Sequence, residues 1–308
     1  MPDRILDFSE EAAHLSVRLA NLVVRRSDKP EVTLPLAEIG VVVVSHPQVT
    51  LTHAVLAGLA AAGAAFVTCD DKRLPVGLML PLQGHHTQSE RISSQVSAKL
   101  PVRKRLWQQI VRAKISAQAA ALVLEHGADH GLNAMASRVR SGDPENVEAQ
   151  AARRYWPLLI ADDAFRRDRE AEDINGILNY GYAVLRAMTG RAICASGLHP
   201  SIGLHHHNRY SQFTLADDLM EPFRVVVDRA ALEAEKTWGP RAEVSKEVKA
   251  HMIAAVNDRY WLHGEQRSLF EIVARCSSSL AAVFAGDADQ LVLPEFPDFF
   301  NDAHGDAA

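Results

Sequence analysis

The stretch GLHPSIGLHHHNRYSQFTLADDLMEPFRVVVD, Gly197 to Asp228, sets three adjacent histidines, His205 to His207, ahead of the acids Asp217, Asp218 and Glu221. Imidazoles followed by carboxylates read as half of a metal site. The three histidines cannot all face one ion, because neighbouring side chains lie about 100° apart on a helix and on opposite faces of a strand. The other half is upstream, in DPENVEAQAARRYW (Asp143 to Trp156), where Glu148 is followed on its helical face by Ala151, Ala152 and Tyr155. A carboxylate on an apolar face needs a partner.

Outward from these two segments the pattern is helical. Arg103 to Glu125 carries Leu106, Ile110, Ala117, Ala121 and Leu124 on one stripe and stops at Gly127, which suits a C-cap. Asp143-Pro144 opens the Glu148 helix, with Asp as N-cap and Pro in the first position. Further helices are expected over Asp173 to Met188, stopping at Gly190, over Asp217 to Glu235, over Ser245 to Leu262 and over Ser268 to Phe284. Pro222 should bend or restart the third of these after Glu221. Asp217 is expected to be an acid at a helix N-terminus.

The N-terminal quarter differs. ILDF, HLSVRL, NLVVRR, EVTLPL and GVVVVS are short, β-branched and separated by polar or Pro-containing breaks. Thr50 to Gly63 reads as an Ala/Leu helix packed on the sheet, with strands again near Ala65 to Thr68 and Val76 to Leu80, and the polar run Gln83 to Gln88 reads as a linker. The expected fold class is α+β in two domains: a small N-terminal β domain over residues 1–84, a larger all-α catalytic lobe over residues 85–300, and a disordered tail over residues 301–308.

A chain of 308 residues with 47% hydrophobic content can bury a sizeable core. The most apolar run, Ala54 to Cys69, is shorter than the roughly 20 residues of a membrane span, and the start MPDRILDFSE has no apolar signal core. A cytoplasmic protein with no membrane contact is expected. Cys69, Cys194 and Cys276 form no C-x-x-C pair, so they are expected to be reduced packing residues.

A net charge of −5 argues against indiscriminate coating of nucleic acid, but the charges are unevenly placed. Arg103, Lys104, Arg105, Arg112 and Lys114 have no acid among them, and read either as a solvated face or as a phosphate-binding stripe. Arg153, Arg154, Arg166, Arg167 and Arg169 form a second group, diluted by Asp162, Asp163 and Asp168.

Four motifs occur in order: Asn146-Val147-Glu148-Ala149, Leu178-Asn179-Tyr180-Gly181-Tyr182, Gly203-Leu204-His205-His206 and Asp218-Leu219-Met220-Glu221-Pro222-Phe223-Arg224. Together they resemble the catalytic subunit of the CRISPR spacer-acquisition integrase, the CRISPR-associated protein one family. The form of the histidine and acid motifs is most similar to members from type II CRISPR systems.

The resemblance implies a metal-dependent DNA integrase and endonuclease that inserts captured short duplexes into the CRISPR repeat, a DNA 3′-hydroxyl attacking a phosphodiester. It makes Glu148, His206 and Glu221 the catalytic metal ligands, with Asp218 as an accessory or alternate ligand. His206 and Glu221 are 15 residues apart, room for a loop and the first turns of a helix. Two carboxylates and one imidazole suit Mg²⁺ or Mn²⁺ rather than a thiolate zinc site. His206 could be ligand or proton shuttle. Arg209 and Arg224 are phosphate-binding candidates beside Arg103, Lys104, Arg105, Arg153 and Arg154. Asn179, Tyr180 and Tyr182, and the side chains Trp107 and Trp156, are expected to pack in the core.

The implied partners are duplex DNA with 3′ ends, CRISPR repeat DNA, and a small second adaptation subunit, CRISPR-associated protein two. A homodimer through the β domain would join that subunit in a larger hetero-oligomer. Two other functions share the same residues: a stand-alone metal-dependent nuclease on branched DNA, and a non-catalytic DNA-binding scaffold. A zinc hydrolase would need an H-E-x-x-H-like array, which is missing from the sequence.

Overall fold

A computed structural model of the chain describes residues 3–70, 75–168, 173–205, 212–239, 244–296 and 298–300. The site candidates His206 and Arg209, and the tail 301–308, lie outside the described residues.

Each of the five β-branched N-terminal runs forms a strand: β1 (Arg4–Phe8), β2 (His14–Arg18), β3 (Asn21–Arg26), β4 (Lys29–Pro35) and β5 (Ile39–Val44). A short β6 (Thr50–Leu51), helix α1 (His53–Ala61), β7 (Ala65–Cys69) and β8 (Pro75–Met79) follow. One sheet has the order β1-β5-β7-β8, parallel except for β8. The other, β4-β3-β2-β6, is an antiparallel meander with β6 laid parallel to β2.

The continuous apolar run of β5 is explained by burial on both faces. Ile39 and Val42 pack with Leu15, Leu22, Val55 and Leu59 in a core between the sheets and α1, whereas Val41 and Val43 point into the core of the helical lobe. The first sheet therefore serves as the floor on which the helices stand. Polar ties cross the same boundary: the Tyr180 hydroxyl donates to Asp7 at 2.6 Å, Arg191 donates to the Gly63 carbonyl at 2.7 Å, and Lys249 pairs with Glu10 at 3.3 Å.

The helical lobe comprises α2 (Gln88–Ser97), α3 (Leu100–His126), α4 (Leu132–Arg138), α5 (Val147–Ile160), α6 (Ile174–Ala195), α7 (Thr214–Leu219), a 3₁₀ turn (Glu221–Phe223), α8 (Arg224–Trp238), α9 (Lys246–Asn257) and α10 (Leu269–Ala285). Helix α6 is buried almost all round, as befits the central rod of a bundle. At Gly181 it meets α8 and α9 so closely that a Cβ there would stand 2.5 Å from Val227 Cγ1 and 2.7 Å from Met252 Cε. The sequence suggests a stop at Gly190, but α6 runs on to Ala195, and Leu80 packs over that glycine, whose Cβ would be 3.1 Å from Leu80 Cδ1.

The lobe is not wholly helical. The helix expected over Ser245 to Leu262 ends at Asn257, and β9 (Arg259–Leu262) pairs antiparallel with β10 (Glu265–Ser268). Tyr260 and Trp261 favour a strand, and His263 and Gly264 both take positive φ, the conformation a two-residue hairpin turn requires. Among the described residues no helix is long and apolar enough to cross a membrane. The three cysteines are free; burial pushes Cys276 up to about 12 and Cys69 up to about 11, so they sit as protonated packing groups.

Candidate active site

Glu148 is set by the start of α5. Asn146 occupies the left-handed region with φ 51° and caps the helix, its side chain accepting from Ala149 N–H. The Asp143 carboxylate, expected as the cap itself, instead reaches from the preceding turn to accept from Val147 and Glu148 N–H at 2.9 and 3.0 Å. Two caps on one helix end satisfy donors that would otherwise be orphaned. Glu148 thereby lies in the first turn, where the helix dipole favours a negative charge.

Glu221 is set by Pro222. Helix α7 stops at Leu219, the 3₁₀ turn begins at Glu221, and α8 restarts at Arg224, as expected of a proline that has no N–H to donate. The turn lies against α3, and Glu221 is 5% exposed. The two carboxylates converge there on one ammonium: Lys114 Nζ of α3 is 2.5 Å from Glu148 Oε1 and 2.7 Å from Glu221 Oε2. Arg224 Nε lies 2.9 Å from the second oxygen, Glu221 Oε1.

Burial by itself would drive the proton off Lys114, but the carboxylates of Glu221 and Glu148 outweigh it and hold the ammonium above its ordinary range. Burial likewise opposes the charge on Arg224, and Glu221 overcomes that too. The cluster is a buried set of charges that balance one another, which offsets the cost of taking them out of water.

A cavity of about 430 Å³ opens beside it, lined among others by Lys114, Arg167, Asn179, Arg186, Glu221 and Arg224. Arg167 donates to the side-chain oxygens of Asn175 and Asn179 at 2.7 and 2.6 Å, which hold its guanidinium over the Tyr182 ring, 5.4 Å from the centroid. Arg224 covers the same ring at 4.7 Å. Arg186 pairs with Asp217 at 2.7 Å. Pro75 of β8 reaches the rim, so the N-terminal sheet contributes to the wall.

Under the cavity, the Asp228 carboxylate accepts hydrogen bonds from the hydroxyls of Tyr155, at 2.9 Å, and Tyr182. Burial raises its pKa to about 6 against the hydrogen bonds of Tyr182 and Tyr155, which work to lower it. Tyr182 thus packs as expected, and Tyr155 packs beside it, each with its polar tip satisfied.

Asp218 is buried and turned toward the histidine loop. Its Oδ2 accepts from the N–H groups of Leu204, at 2.6 Å, and His205, at 3.1 Å. The carboxylate thereby anchors the backbone that leads into His206. The His205 ring stacks on the buried Trp107, centroids 4.4 Å apart and nearly parallel, which gives His205 a second anchor. His206 itself, the third expected ligand, lies outside the described residues, and among the described residues no three His, Cys, Asp or Glu side chains come together as a metal-binding group.

The basic candidates separate. Arg224 lies in the cavity, while Lys104, Arg105 and Arg153 are exposed on the surface. Arg103 donates to the Gln95 and Val96 carbonyls at the end of α2, and Arg154 to the His130 carbonyl. Lys114, counted with the open stripe in the sequence, is turned inward. Its position four residues after Ile110 and four before buried Gln118 places it on the core face of α3, a signal present in the helical periodicity. Arg167, Arg186 and Asp228 carried no comparable signal. Trp156 is half-buried at the cavity wall, packed on Tyr155 and Phe165.

The donor set fits a divalent cation. Two carboxylate oxygens already grip one cationic nitrogen between them, and hard oxygen donors at such a point suit Mg²⁺ or Mn²⁺.

The family model for CRISPR associated protein Cas1 matches residues 8–239. A CRISPR-associated endonuclease Cas1 from Neisseria meningitidis serogroup C (strain 8013) is 34% identical over 290 residues, 93% of this chain and 94% of that protein. Among solved structures, a casposase bound to integration product superposes with a TM-score of 0.79 at 19% identity, over 96% of this chain and 94% of that one. A chain of a Cas6-RT-Cas1–Cas2 complex gives 0.76 at 18% identity, over 96% of this chain and 36% of that one. With most of its length matched by the family model, this chain belongs to the CRISPR associated protein Cas1 family.

Proposed function

We propose that this chain is the metal-dependent integrase of CRISPR adaptation, joining the 3′-hydroxyl of a captured short duplex to a phosphodiester of CRISPR repeat DNA. The observation that carries the reading is the convergence of Glu148 and Glu221 on a single cation position beside a cavity walled by Arg167, Arg186 and Arg224. Glu148, Glu221 and His206 would hold Mg²⁺ or Mn²⁺. When bound, such an ion polarises a phosphoryl oxygen and stabilises charge on the attacking or departing oxygen.

The protein's own groups do the rest. The cavity arginines bind and orient the phosphate, presenting its oxygens to fixed guanidinium donors. The Asn175 and Asn179 oxygens hold Arg167 in place beforehand, so little side-chain order must be created on binding. Asp218 holds the backbone of Leu204 and His205, immediately before His206. Exposed Lys104, Arg105 and Arg153 contribute sequence-independent attraction along the DNA backbone.

The names of the structural neighbours, one bound to integration product and one a complex with Cas2, support DNA and a small second subunit as partners. We place the chain in a cytoplasmic homodimer that joins this subunit, in a system of type II. A labelled duplex with 3′-hydroxyl ends, the second subunit, a plasmid carrying a repeat, and Mn²⁺ or EDTA make the test. Label joined covalently to plasmid, dependent on metal and lost in Glu148→Ala, His206→Ala and Glu221→Ala, is the expected result. The chain's relatives are named endonucleases, and cutting of branched DNA without joining would establish that reading instead. Binding with no covalent product would leave a scaffold.

A further inference from the structure

The position between Glu148 and Glu221 already has a cation in it. Lys114 Nζ bonds one oxygen of each carboxylate at 2.5 and 2.7 Å, and all three side chains are at most 18% exposed. With Arg224 on the other oxygen of Glu221, that carboxylate is neutralised before any ion enters. A divalent ion held by the same two oxygens requires oxygen distances of about 2.0–2.2 Å for Mg²⁺ or Mn²⁺, which the space filled by the ammonium cannot also accommodate. Nor can the two cations lie side by side in a poorly solvated site without strong repulsion.

A lysine can leave such a position without moving the backbone, because its four-carbon stem is flexible and its ammonium is a compact point charge. The cavity next to it supplies room, about 430 Å³. It also supplies an acceptor. Gln118, one turn further along α3, lines the same cavity and is 5% exposed, and its amide oxygen is buried with no hydrogen-bond partner among the described residues. Residues four apart on a helix face each other, so this oxygen is within the natural reach of the Lys114 ammonium. An unsatisfied buried acceptor is destabilising where it stands and is improved by gaining a charged donor.

We propose that Lys114 is a resident cation that neutralises Glu148 and Glu221 until a divalent ion binds, and that the ion drives its ammonium out into the cavity, where it turns toward Gln118 and becomes a phosphate-binding group. The inference rests on the metal-dependent reading above. It makes Lys114 a positioning residue that lowers metal affinity in the free protein and adds a donor to the cavity only when the metal is in place. The site is thereby kept from carrying two unpaired buried carboxylates in the absence of metal.

The test titrates the full chain with Mn²⁺ and reads free ion by electron paramagnetic resonance, for wild type, Lys114→Met and Lys114→Gln. Both variants are expected to bind at least about tenfold more tightly, since each removes the positive charge that must be displaced. Their melting temperatures should be below wild type in EDTA and rise more on adding Mn²⁺. In unmodified protein, acylation of Lys114 followed by mass spectrometry should be faster in Mn²⁺ than in EDTA, with exposed Lys99 unchanged. This arm reads the displacement even if a variant does not fold. Wild type that takes up Mn²⁺ while the folded variants bind no more tightly, or while Lys114 reacts no faster, overturns the inference and leaves the integrase reading standing. Wild type that takes up no Mn²⁺ at millimolar concentration overturns both.

Discussion

Replacing Asp228 with Asn should change how stability depends on pH, and by a calculable amount. In the folded chain the carboxyl is buried under the cavity and takes up its proton near pH 6, whereas the ordinary value for the unfolded chain is 3.8. Between those two values the native state binds a proton that the unfolded state does not, so stability falls as pH rises. The contribution of this group is present in full below 3.8 and is lost as pH passes through about 6. At about 1.4 kcal/mol for each pH unit, the difference between the two ends is about 3 kcal/mol. Asn has the same shape and keeps a partner for each hydroxyl: its oxygen can accept from one tyrosine and its amide can donate to the other. The variant therefore loses the slope without losing the packing. Urea unfolding of wild type and Asp228→Asn, extrapolated to water at several pH values from about 4 to about 7.5, measures it. The difference in unfolding free energy should move by about 3 kcal/mol across that range, wild type doing relatively better at the acidic end. Two parallel profiles would refute the claim that Asp228 titrates in the folded state near pH 6.

The remaining predictions concern the supports of the site. Gly181→Ala places a methyl against Val227 and Met252 and should destabilise by about 1–3 kcal/mol despite better helix propensity, a fall in melting temperature of a few degrees; a rise would mean that α6 does not approach α8 this closely. Asp218→Ala leaves the Leu204 and His205 N–H groups without their acceptor, so their amide hydrogen exchange should accelerate at least about tenfold while that of α3 core amides changes little. Trp107→Ala removes a fully buried ring and the surface on which His205 stacks, and should cost about 3–5 kcal/mol in urea unfolding, with Trp107→Phe recovering more than half.

Much of the fold was legible because local and global preferences agree. The strands of the N-terminal region are short β-branched runs between breaks, and every one of them pairs. The continuous apolar run of β5 is accounted for by the fold, in which one face packs toward α1 and the other toward the helical lobe. Agreement failed where tertiary contacts overrode local signals. Gly190 reads as a stop, yet it lies inside α6 with Leu80 packed over it. The segment after Asn257 continues an apolar pattern that suits a helix, but the His263-Gly264 turn closes a hairpin instead. Asp143-Pro144 has the composition of a helix start, and the helix begins at Val147 because Asn146, in the left-handed region, makes the cap and Asp143 serves from outside.

The site was legible to the extent that chemistry depends on residue type, and hidden to the extent that it depends on which way a side chain faces. Glu148 stands out in the sequence because an acid on an apolar face has to be answered by something, and the family resemblance is what set Glu221 beside it. The answer was sought in a metal ion and a histidine, and the first group to supply it is a lysine. Lys114 was grouped with the exposed Lys104 and Arg105 by charge alone, although its phase on α3 sets it with Ile110 and Gln118 on the buried face. Charge counts treat a helix as a line; the buried side of a helix is a stripe, and a cation on that stripe must have an anion within reach. The helical phase of Lys114 marks it as a cation that needs an anion, and in the fold the charges balance with four residues, Lys114 and Arg224 against Glu148 and Glu221. The consequence at the site is electrostatic: in the folded chain both carboxylates are already paired with a cation, Lys114, so any further cation taken up between them would have to compete with that ammonium.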